Sequence, residues 1–185
     1  MDLVRPAQEH LASYVAALER GWSADSIRGA AAAQEELARI RADAEGYLGS
    51  LEDREAKGPP VKLPDGSLVP RLPGFRRWLW DGEFAGSMGL RWQPDTAALP
   101  PYCLGHIGYA VVPWKQRRGY ATAALRIMLV QAQAVGLPYV EITTDPDNLP
   151  WRKVVEAVGG KLHEKFIQPP QFGCKPGLRY RVPLA

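Results

Sequence analysis

Residues 116–121 read Gln-Arg-Arg-Gly-Tyr-Ala, so two arginines and a glycine open a helix-forming run that has no acidic residue in its first turns. A helix N-terminus carries partial positive charge and normally gains from Asp or Glu nearby. Positive and small residues there suit an anion instead. Unpaired backbone N–H groups at the helix start form a phosphate site, and planar guanidinium groups add charge-assisted bonds to phosphate oxygens. Gly119 and Ala121 keep bulk away, so a pyrophosphate could approach the backbone closely. The plainer alternative is a helix that begins against a sheet, with Arg117 and Arg118 solvated. The pattern is neither the glycine fingerprint of a dinucleotide fold nor a P-loop, which needs Gly-Lys-Ser/Thr.

The elements around this stretch must position it. "AQEHLASYVAALERG" predicts a short helix ending at Gly21, and Ile27, Ala30, Leu37, Ile40, Ala44 and Leu48 recur at the spacing of a second one. Residues 57–74, rich in proline and glycine, form a long loop with a small hairpin expected at Asp65-Gly66. "FRRWLW" and "FAGSMGLRW" read as a hairpin turning at Asp81-Gly82. "CLGHIGYAVV" is a strand stopped by Pro113, and the helix after Gly119 runs to about Val135. "YVEITT" is a strand and "NLPWRKVVEAVGG" a helix, and "KLHEKF" and "RYRVPL" are candidate final strands. The order predicts an α/β (α+β) fold, a mixed and mostly antiparallel sheet covered by helices. A single domain over 1–185 is expected: N-terminal helices over 1–56, the loop over 57–74 and the sheet core over 75–185.

Composition narrows the function classes. The chain is 46% hydrophobic and 23% charged, which is ordinary for a globular protein. A net charge of +3 argues against a nucleic-acid binder, which needs many phosphate contacts. Cys103 and Cys174 lie far apart without CxxC spacing, so neither a disulfide framework nor a metal site is expected. No run reaches membrane-spanning length and "MDLVRPAQEH" lacks an apolar signal core, so no membrane association and a cytoplasmic location are expected.

From "HIGYAVVPWKQRRGYATAAL" through "GLPYVEITTDPDNLPWRKVVEAVGGKL" the chain resembles the GNAT superfamily of N-acetyltransferases. The family's phosphate signature, Gln/Arg-x-x-Gly-x-Gly/Ala, corresponds to Gln116, Gly119 and Ala121. A strand ending in Val-Val-Pro precedes it, and Asn148 follows the next strand. The wording is closest to a poorly characterised branch of bacterial acetyltransferases. The resemblance implies acetyl-CoA as co-substrate, no metal, and a small-molecule or protein amine as acceptor, with a homodimer open to it. It implies a V-shaped opening between two splayed parallel strands. Backbone groups near Val111 and Val112 would pair with the pantetheine arm. The amides of Arg117, Arg118, Gly119, Tyr120, Ala121 and Thr122 would hold the pyrophosphate, and Asn148 would contact the arm.

Two positions depart from the family. Trp151 stands where many members carry a small residue; it could stack on the cofactor or pack on its own helix. Val155 stands where many carry a tyrosine that protonates the departing thiolate, which raises a second reading, a catalytically weak acyl-CoA-binding or sensing domain. An amine must be neutral before it attacks a thioester, so the chemistry needs a base. His106 lies near where some relatives place a catalytic glutamate, and its ordinary pKa of about 6.5 suits the task; a half-buried structural histidine fits as well. Tyr109 and Glu141 are strand residues that could face the site. Asp145 and Asp147 shape the turn before Asn148. Lys57, Lys62, Arg71, Arg76 and Arg77 hint at an anionic acceptor or form a solvated face.

Overall fold

The computed structural model describes residues 1–25 and 28–184. In chain order the elements are β1 (Asp2–Val4), α1 (Gln8–Glu19), α2 (Ala30–Ala42), α3 (Ala44–Ser50), β2 (Glu52–Asp53), β3 (Val61–Lys62), β4 (Leu68–Val69), β5 (Gly74–Trp80), β6 (Phe84–Arg91), β7 (Ile107–Val111), α4 (Tyr120–Ala134), β8 (Tyr139–Thr144), α5 (Leu149–Glu156), β9 (Lys161–Ile167) and β10 (Pro176–Pro183). A 3-10 turn, Pro113–Lys115, separates β7 from α4.

The helices take up the periodicities that predicted them, with one correction. Leu11, Tyr14 and Leu18 form the buried stripe of α1, and Ala33, Leu37 and Ile40 that of α2. The single second helix expected up to Leu48 is two helices; Ile27, its first expected contact, lies outside the described residues. Asp43 is extended (φ −157°, ψ 90°) and its carboxylate accepts the Gly46 N–H at 2.8 Å. An aspartate capping its own downstream turn is stable outside the helix, so α2 ends there. α3 starts afresh and buries Tyr47.

Among the described residues, β1, β5, β6 and β7 form one antiparallel sheet in that order, with β2 also on β5, and β8, β10 and β9 form a second. The hairpin expected at Asp65-Gly66 is the β3–β4 pair. Helices cover both faces of the larger sheet. Tyr14, Leu18, Leu37 and Tyr47 pack on Trp78, Phe84 and Val112 from one side. Leu125 and Met128 of α4 pack on Leu79 and Met88 from the other, and continue onto Val140, Ile142 and Val155. Burial on both faces explains why β5 carries the unbroken apolar run Trp78-Leu79-Trp80 rather than an alternation. None of the described helices is long and apolar enough to cross a membrane.

Candidate active site

β7 and β8 are edge strands of separate sheets, joined in sequence through α4. They touch at one end. The His106 N–H donates to the Glu141 carbonyl at 2.7 Å, and the Glu141 N–H donates to His106 Nδ1 at 2.9 Å. A side-chain nitrogen thus takes the place a ladder carbonyl would hold. Gly105 permits the contact, because a Cβ there would stand 3.1 Å from the Glu141 carbonyl oxygen and 3.3 Å from the Thr143 nitrogen. No ladder between β7 and β8 continues beyond this joint.

The register shows what faces the resulting gap. Arg91 N–H to His106 O (2.9 Å) and Val112 N–H to Ala85 O (3.0 Å) mark hydrogen-bonded pairs at both ends of the β6–β7 ladder. Tyr109 and Val111, opposite Met88 and Gly86, are then in non-hydrogen-bonded pairs, and their N–H and C=O groups point away from β6. The Val111 carbonyl accepts the Gln116 side-chain amide at 3.2 Å. Val112 is different. It is fully buried, its N–H is bound to Ala85, and its carbonyl accepts the Lys115 N–H at 3.0 Å.

Beyond the 3-10 turn, Arg117 (φ 60°) and Gly119 (φ 77°) both adopt positive φ on either side of Arg118. Such alternation turns successive N–H groups to one side, as in anion-binding nests. Gly119 caps α4 without a side-chain bond, no acid lies in the first turn, and the first carbonyl bond is Ala123 N–H to Gly119 O at 3.1 Å. The N–H groups of Tyr120, Ala121 and Thr122 lie ahead of that ladder. Gln116, Arg117, Arg118 and Gly119 are exposed, and a Cβ on Gly119 would meet nothing within 4 Å. Open space over ordered donors, with two arginines beside them, fits a pyrophosphate.

Asn148 caps α5, its Oδ1 accepting the Trp151 N–H at 3.2 Å. The Trp151 ring stacks on Tyr109 with centroids 4.2 Å apart and an interplanar angle of 5°. Trp151 therefore leaves its own helix and bridges to β7 across the gap. The Tyr109 hydroxyl is buried without a hydrogen-bond partner among the described residues, and burial pushes its pKa well above the usual tyrosine range. Val155 is fully buried in the core.

His106 is fully buried, and desolvation lowers its pKa from 6.5 to about 4. With Nδ1 accepting from Glu141, the ring is neutral and its proton sits on Nε2. Glu141 lies between the core residues Val140 and Ile142, so its side chain takes the opposite face of β8. There its carboxylate binds Arg181 at 2.7 Å and Arg179 at 3.6 Å. Arg179 and Arg181 are not among the sequence-predicted site residues, although their i, i+2 spacing in "RYR" signals one strand face. The suspected cationic cluster is largely paired within the protein: Lys57 with Glu55 at 2.6 Å, Arg71 with Asp53 at 3.7 Å and Arg77 with Glu52 at 3.1 Å. Burial disfavours the Arg76 charge, but Tyr14, Glu36 and Tyr47 beside it outweigh that and raise its pKa.

A family model of the acetyltransferase (GNAT) domain matches residues 66–161, a span that holds the hairpin, the 116–122 loop and α5. The chain belongs to the GNAT acetyltransferase family. Solved structures share the fold. A GNAT-family acetyltransferase from Bordetella pertussis is 16% identical, with 97% of this chain and 93% of that chain covered, at a TM-score of 0.57. RimJ of Mycobacterium smegmatis, in complex with CoA-disulfide, is 17% identical over 98% of this chain and 80% of its own, at 0.58. The self-immunity acetyltransferase MccE, in complex with acetyl-CoA and AMP, is 10% identical over 98% and 91%, at 0.62. At such identities the likeness is one of fold. No curated protein matches the sequence. For a GNAT domain, the gap between β7 and β8 is the opening expected from the resemblance.

Proposed function

We propose that this protein transfers an acetyl group from acetyl-CoA to a primary amine by direct attack, without an acyl-enzyme. The observation that carries the reading is the 116–122 loop, where two positive-φ residues and an acid-free helix start without a side-chain cap leave ordered donors under open space. Acetyl-CoA supplies the thioester carbonyl. The amides of residues 117–122, with Arg117 and Arg118, hold the pyrophosphate, and Gln116 orders the Val111 carbonyl beside them. The gap-facing backbone of Tyr109 and Val111 pairs with the pantetheine arm, Val112 supporting that strand from the core. Asn148 and Trp151 form the opposite wall.

Glu141 is the proton acceptor for the attacking amine in this reading, since its carboxylate stands on the sheet face opposite the α4–α5 core. His106 positions it, holding the Glu141 backbone through Nδ1. Glu141→Gln should then lower turnover at least tenfold with CoA affinity kept, and His106→Asn should cost far less. The acceptor is an amine of a small molecule or a protein, and the cytoplasm, where acetyl-CoA is made and used, is the proposed site of action.

A second reading, a weak acyl-CoA-binding or sensing domain, is favoured by Val155: an apolar core residue occupies the place of the usual acid. Both readings require CoA binding. Release of free CoA thiol, measured with acetyl-CoA against a panel of amines, separates them. Amine-dependent release sustains the transferase, whereas binding without release across the panel leaves the sensing domain.

A further inference from the structure

The carboxylate of Asp81 sits in the turn between β5 and β6, yet its partners flank the phosphate loop. It pairs with the Lys115 ammonium and accepts the Tyr120 hydroxyl at 2.7 Å. Lys115 ends the 3-10 turn and Tyr120 begins α4, so one carboxylate grips the chain immediately before and immediately after residues 116–119. The Lys115 side chain is only 5% exposed and also meets Glu83 at 2.7 Å. A buried ammonium is costly away from its counter-charge, so this end of the loop is firmly held. Lys115 and Tyr120 together hold the Asp81 carboxyl below the usual aspartate range.

Between the two anchors, the loop needs holding. Arg117 has a positive φ without being glycine, which costs roughly 1–2 kcal/mol. Residues 116–119 are exposed, and the Gln116 amide on Val111 is the side-chain bond the loop itself makes. An unanchored loop of this kind would have to be ordered at the moment of binding, and that cost would come off the affinity.

We propose that Asp81 is a positioning residue for coenzyme A: it holds both ends of the 116–119 loop, keeping the N–H groups of the phosphate site in their binding arrangement before the ligand arrives. Its carboxylate is turned onto the Lys115 ammonium and the Tyr120 hydroxyl, with the ammonium shared with Glu83. This rests on the reading of residues 117–122 as the pyrophosphate site, and extends it to a residue of a distant hairpin turn.

The test uses two probes on the whole protein: coenzyme A by calorimetry, and pantetheine, which lacks the phosphates, by NMR titration. Asp81→Asn should weaken coenzyme A by about tenfold, the effect of one lost charge-assisted contact, while pantetheine affinity stays that of the parent. Tyr120→Phe keeps the Lys115 pair and removes only the hydroxyl, so it should weaken coenzyme A by about threefold. It also serves if Asp81→Asn does not fold. Parent-like coenzyme A affinity in folded variants overturns the proposal, as does an equal loss of coenzyme A and pantetheine. A parent protein that binds no coenzyme A overturns instead the reading of the site on which the proposal rests.

Discussion

His106 and Glu141 exchange two hydrogen bonds of unequal kind: a backbone N–H to a carbonyl at 2.7 Å, and a backbone N–H to an imidazole nitrogen at 2.9 Å. The second uses a side chain to finish a ladder that the backbone abandons at that point. It ties the stability of the joint between the sheets to the protonation of one ring.

The consequence is a pH dependence of stability with a defined sign. Burial lowers the His106 pKa from 6.5 to about 4, so between those values the unfolded chain binds a proton that the folded chain refuses. The contribution is fully present above about pH 6.5 and is lost as pH falls toward about 4, at up to ~1.4 kcal/mol per pH unit. His106→Asn offers an uncharged acceptor to the Glu141 N–H. Urea unfolding at pH 7 and pH 5 should show a smaller difference for His106→Asn than for the parent; equal differences would free His106 of this role.

Gly119 combines a positive φ with open space above it, so two substitutions separate backbone from ligand effects. Gly119→Ala should destabilise folding by roughly 1–2 kcal/mol through the left-handed conformation alone, and leave much of the CoA affinity. Gly119→Asp adds a carboxylate to the proposed anion site and should nearly abolish CoA binding in a protein that circular dichroism reports as folded. Tight binding by folded Gly119→Asp would place the phosphates elsewhere.

The Trp151–Tyr109 stack spans the gap between α5 and β7. Coenzyme A binding should therefore change tryptophan fluorescence, and Trp151→Ala should remove that component of the change. The same variant loses an aromatic pair worth ~0.5–1.5 kcal/mol beyond its buried area, readable in chemical denaturation. An identical fluorescence response in parent and variant would show that the stack does not border the ligand.

Tyr14, Tyr47 and Tyr109 share a raised pKa, caused first by burial. In the folded protein these phenols keep their protons where unfolded tyrosines lose theirs, so stability is present below about pH 10 and falls as pH rises through it. Tyrosinate absorbance should accordingly appear in two stages during alkaline titration, the later one coincident with loss of ellipticity. A single stage complete before unfolding would contradict the burial.

Much of this molecule was legible in one dimension because the signals are local. The Asp81-Gly82 hairpin, the Pro113 stop, the helix that opens after Gly119 and the "YVEITT" strand each depend on turn chemistry or periodicity within a few residues. The proposed phosphate loop could be picked out for the same reason, since a glycine, two arginines and the lack of acids lie side by side. The break at Asp43 was equally local but was masked, because the apolar spacing runs on across it while an aspartate cap ends the helix.

What only the tertiary structure decided are contacts between residues distant in sequence. Nothing near His106 states that its ring will meet the Glu141 backbone, or that Trp151 will turn onto Tyr109 rather than onto its own helix. Asp81 looks like a turn residue because its turn role is written in its neighbours, whereas its grip on Lys115 and Tyr120 depends on where β5, β6 and α4 are packed. A sequence displays the propensities of adjacent residues. Which side chains share a buried space is set by burying the two faces of one sheet at once, and that condition exists only when the whole chain has folded.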